Sequence, residues 1–91
     1  MDTGLPGEDI IEAGLKDLHA SLETIPALLV AIGSPRLKRL GLALPEQLPP
    51  DPEHRLYNLL AQEDQDSAHS RYNAYIRRLV SYERAAECVN R

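Results

Sequence analysis

The chain is 91 residues long, 43% of them hydrophobic, with a net charge of −4 at neutral pH. That length holds one domain, the apolar share excludes disorder throughout, and the acidic balance argues against general affinity for nucleic acid. With no Phe or Trp, four Tyr and one Cys, the core must be aliphatic, and no disulfide can close within the chain.

The opening residues, Met1 to Asp9, are acidic and lack the cationic start and apolar run of a secretory leader. Residues 1–7 are expected to be flexible. The longest apolar run, residues 27–32, is six residues long, far short of the roughly 18 that a membrane span needs. These features predict a cytoplasmic protein with no membrane partner.

A first helix is predicted from Glu8 to Leu22. Ile11, Leu15, Leu18, Leu22 and Ile25 recur at spacings of 4, 3, 4 and 3, which lines one helical face. Gly14 interrupts it, at a cost of about 1 kcal/mol relative to Ala or in return for close helix contact. His19 falls at mid-helix with no ligand-spaced histidine partner. Thr24 then precedes Ile25-Pro26, an N-cap followed by a proline whose missing N–H is no loss in a first turn. The segment from Pro26 to Ile32 is apolar all round and belongs at the centre of the fold.

Gly33 reads as the stop of that helix, and Ser34-Pro35 as the cap and first turn of the next. A short basic helix follows over residues 35–40, ended by Gly41. Residues 42–51, with Pro45, Pro49 and Pro50, form an irregular connection that packs Leu42, Leu44 and Leu48 onto the helices. Asp51-Pro52 is the next predicted cap and start, for a helix to about Gln62 with Leu56, Leu59 and Leu60 inward. Residues 63–66 are polar and form a turn. The last helix is predicted from about Ser67 to Val89, with Tyr72, Tyr75, Leu79, Tyr82 and Ala86 in one stripe. At about 1.5 Å per residue, it is long enough to project or to meet another subunit. The expected fold is an all-α bundle of four to five helices in one domain.

Charge alternates in blocks. Residues 1–33 hold six acids and one base, 34–45 three bases, 46–66 six acids and one base, and 67–91 five bases and two acids. Complementary packing between blocks is expected, within the molecule or across a dimer.

The chemistry-bearing candidates are few. Two Asp-x-x-His tetrads, Asp51 to His54 and Asp66 to His69, could present oxygen and nitrogen to a metal or serve a small enzyme, but Asp at a helix start reads first as a cap. Cys88 lies near a helix C-terminus, where the dipole disfavours a thiolate. No catalytic constellation and no cofactor motif is found, so a non-enzymatic role is expected. The apolar helix, Gly33-Ser34-Pro35 turn and basic helix suggest a helix-turn-helix that would use Arg36, Lys38 and Arg39 with Arg77 and Arg78. The acidic flanking blocks argue against that nucleic-acid reading.

The leading candidate surface is the Tyr/Arg-rich last helix: Tyr72, Tyr75 and Tyr82 with Arg71 and Arg78. Tyr and Arg bring large contact area with polar tips, as interface cores require. The sequence therefore predicts a protein-interaction or regulatory module whose partner is another protein or a second copy of itself.

Overall fold

The computed structural model describes residues 5–89, in which there are five helices and no strand. They are α1 (Glu8–His19), α2 (Ile25–Ile32), α3 (Ser34–Arg39), α4 (Pro52–Glu63) and α5 (Ala68–Val89). The all-α expectation is met. Of the segment expected to be flexible, residues 1–4 lie outside the described residues, while Leu5 packs against the core and Gly7 caps α1.

Helix α2 is the centre. Ala27, Leu28, Leu29, Val30 and Ala31 are all buried, as its all-round apolar sequence demands. Helices α1, α4 and α5 pack around it, and Ile11, Leu18, Leu37, Leu56, Leu60 and Leu79 complete the core. Each such side chain contributes roughly 1.5–3 kcal/mol when fully buried. Leu42, Leu44 and Leu48 of the irregular connection pack against this core from outside. Among the described residues no helix is long and apolar enough to cross a membrane.

The approach of α1 to α2 depends on Gly14. A Cβ built there would collide with the Pro26 carbonyl oxygen and with Val30 Cγ2. Gly14 is therefore a contact residue rather than a weak point in the helix. A second tie joins the end of α1 to the start of α2. The Thr24 hydroxyl donates to Asp17 Oδ2 at 2.6 Å and accepts from the Ala27 N–H at 3.2 Å.

The proline positions are right, but only one of the predicted side-chain caps is formed. Thr24 caps α2; Ser34 is the first residue of α3 and Gly33 is its cap. Asp51 adopts a left-handed backbone (φ 47°) and makes no capping bond. Proline's fixed φ and absent N–H suffice to start α3 and α4, so the side-chain oxygen is not needed. The turn before α5 is set by Asp64, whose carboxylate accepts from the Asp66 N–H at 3.1 Å.

Helix α1 ends three residues before the predicted Leu22. Ser21 is left-handed (φ 61°), and the Ser21 and Leu22 N–H groups bond the Leu18 and Asp17 carbonyls in a Schellman turn. Gly41 ends α3 the same way, with Leu42 bonded back to Leu37. There the two leucines meet the usual requirement for an apolar contact across the turn. In α1 the equivalent partner of Leu22 is Asp17, and Leu22 is left 51% exposed. His19 accordingly sits in the last turn, where its Nε2 contacts the Ala43 carbonyl at 2.8 Å and fastens the connection.

Two stability outcomes follow from these contacts. Gly14→Ala should lower unfolding free energy by about 2 kcal/mol in urea titration, despite alanine's better helix propensity. Thr24→Ala should cost about 1 kcal/mol in the same assay, whereas Ser34→Ala should change it by less than about 0.5 kcal/mol.

Candidate functional site

Helix α5 divides its basic residues between two sides. Toward the protein, Ala68, Leu79, Tyr82 and Ala86 are buried, and Tyr72, Tyr75 and Ile76 pack half-buried at the edge. Tyr72 meets Tyr57 of α4 with ring centroids 5.9 Å apart and planes tilted by 58°. Burial raises the Tyr72 phenol above its ordinary range, and Glu53 adds to the rise. Tyr82 is only 8% exposed; burial raises its phenol as well, with Glu8 and Glu12 contributing.

The arginines on this side are engaged. Arg71 donates to Glu63 at 2.8 Å, with Tyr75 in reach of the same guanidinium. Arg78 lies 3.6 Å from Asp9 of α1. The predicted Tyr/Arg surface is thus largely turned to the α1 and α4 sides of the bundle.

Arg36, which the sequence offered as a nucleic-acid contact, is instead the centre of an ion-pair clamp. Arg36 of α3 makes a bidentate pair with Glu87 of α5, its Nε and Nη2 each 2.6 Å from a carboxylate oxygen. Its Nη1 reaches Glu83 Oε1 at 3.4 Å. Glu83 is 4% exposed and is the one buried charged residue among those described. Burial pushes its carboxyl above the ordinary range; Arg36 pulls it back down, and Glu87 adds to the rise. A Cβ on Gly33 would lie 2.8 Å from both Glu83 Oε2 and Leu79 Cδ1, so this glycine supplies room for the carboxylate.

Above this clamp, α5 and the α2–α3 corner enclose a shallow groove of about 330 Å³, lined by Ile32, Pro35, Arg36, Arg39, Ile76, Leu79, Val80 and Glu83. Ile32, Ile76 and Val80 are half-buried there, and Arg39 is exposed at the rim. Arg77 and Arg84, also exposed, stand three residues before and four after Val80, which puts them beside it on the helix surface. Among the described residues Arg39, Arg77 and Arg84 have no carboxylate partner.

Of the bases proposed for nucleic-acid contact, Arg36 and Arg39 line this groove and Arg77 lies beside Val80, while Lys38 and Arg78 lie elsewhere. Arg36 is held by glutamates, and Lys38 lines a separate depression with Leu44 and Pro45. His54 and His69 are exposed in the first turns of α4 and α5, and His69 Nε2 lies 3.2 Å from Asn73 Nδ2. Among the described residues no three His, Cys, Asp or Glu side chains gather where they could hold a metal. Cys88 is exposed.

No family model, curated protein or solved structure matches this chain.

The clamp generates a pH outcome. Because the folded state raises the Glu83 pKa, it holds more protons than the unfolded chain just above the ordinary carboxylate range. Glu83's contribution to stability therefore falls as pH rises through that window, then levels off. Glu83→Gln lacks this titration. Urea unfolding of both proteins across that range should show the difference moving in the variant's favour with rising pH, then holding constant.

Proposed function

We propose that the chain is a small protein-interaction module that works through the side of α5 facing α3. The observation that carries this reading is the half-buried apolar pair Ile76 and Val80, lining a groove on the longest helix near Arg39, Arg77 and Arg84, which have no carboxylate partner among the described residues. Exposed apolar side chains are ordinary when scattered, but clustered in a groove with a charged rim they suit partner contact.

Tyr72, Tyr75 and Tyr82 serve mainly to seat α5, and the contact surface lies around the helix from them. In this reading no reaction is catalysed and no cofactor is required. The exposed thiol of Cys88 suits a reducing compartment, which supports a place in the cytoplasm.

The test is site-specific photo-crosslinking in the native cell. A photoreactive residue replacing Arg77 should yield a defined adduct, and one replacing Asn58 on exposed α4 should not. Equal adducts at both positions, or none at Arg77, would overturn the assignment.

A further inference from the structure

Resting on that reading of α5, we infer that the groove binds an acidic amphipathic helix. Its floor is aliphatic, formed by Ile32, Pro35, Ile76 and Val80; Arg39 of α3 lines one edge, and the helical spacing of α5 sets the exposed Arg77 and Arg84 beside Val80 at the other. A ligand that satisfies both must bury an apolar stripe and place carboxylates on either side of it. A helix with apolar residues at spacings of three and four and acids flanking them does so. Arg77 and Arg84 are seven residues apart, two helical turns or roughly 10.5 Å. A partner helix lying along α5 would therefore meet them with acids spaced by the same two turns.

The nearby carboxylates Glu83 and Glu87 share the single guanidinium of Arg36, and the one negative charge this leaves is outweighed by Arg39, Arg77 and Arg84. Glu83 is also buried against Gly33. A second copy of the chain fits less well. A two-fold pairing of α5 about Val80 would bring Arg77 of one copy within a turn of Arg84 of the other, setting like charges together around an apolar centre. Nucleic acid also fits less well. The floor has no aromatic ring to stack on a base and no amide to read one, and the chain as a whole is acidic.

The experiment uses the full chain and a fluorescent peptide of about sixteen residues, roughly 24 Å of helix, with leucines on one face and glutamates on its flanks. The comparison probes are the same peptide with lysines for glutamates and a short DNA duplex; sedimentation of the chain alone reports self-association. The glutamate peptide should bind saturably, more weakly as salt rises, and at least about tenfold more tightly than the lysine peptide. Val80→Asp, and separately Arg77→Glu with Arg84→Glu, should each weaken it by about tenfold or more. Circular dichroism checks that these surface variants stay folded.

Equal binding of the two peptides, or affinity unmoved by both variants, would overturn the inference. Preference for the duplex would overturn it in favour of nucleic acid, and self-association abolished by Val80→Asp would do so in favour of a second copy. If the peptide fails while Arg77 still crosslinks to a protein, the acidic-helix partner is wrong and the interaction module stands. If both fail, both readings fall.

Discussion

Helix α2 has no side that can face water. Five consecutive residues, Ala27 to Ala31, are buried, so the rest of the chain must supply a cover on every flank. The cover by α1 comes closest, because Gly14 lets the Pro26 carbonyl and the Val30 methyl approach where a methyl group would otherwise stand. The Asp17–Thr24 hydrogen bond fixes the corner between the two helices. With α1 and α2 locked, the remaining sides of α2 dictate where α4 and α5 can lie.

Helix α5 must serve this core and still present a surface. Its inner side takes up the tyrosines, and Arg71 and Arg78 reach back to acids on α4 and α1. These exposed pairs stabilise the fold little, because water and salt screen them. Their larger effect is to remove charge from that side. Arg77 and Arg84, without a carboxylate partner among the described residues, stand beside the half-buried Val80, and Arg39 lines the same groove from α3. The same helix thus sorts its cations into those used internally and those available to something else.

Much of the fold was legible because proline and glycine act locally. Pro26, Pro35 and Pro52 marked helix starts, Gly41 marked a stop, and the apolar run before Gly33 announced a central helix. Side-chain caps were less legible, since a serine or aspartate before a proline looks the same whether or not it bonds. Leu22 continued a perfect helical spacing, yet the left-handed Ser21 turned it into solvent. The Tyr stripe was visible as a stripe, but periodicity does not say which part of it other helices will cover. The Arg36 clamp was hidden for a different reason. Glu83 and Glu87 lie inside a block whose net charge is positive, so summing charge by segment concealed the two acids that matter. Their spacing of four, facing a basic helix after a glycine, was the available signal.

The distribution of aromatic residues has an optical consequence. All four tyrosines lie between positions 57 and 82, and there is no tryptophan or phenylalanine. Near-ultraviolet absorption and emission therefore come wholly from the α4–α5 layer, with the Tyr57–Tyr72 pair as its asymmetric centre. Helices α1 to α3 carry no chromophore of their own, so loosening of α1 would register in intrinsic fluorescence chiefly through Tyr82, which lies beside Glu8 and Glu12.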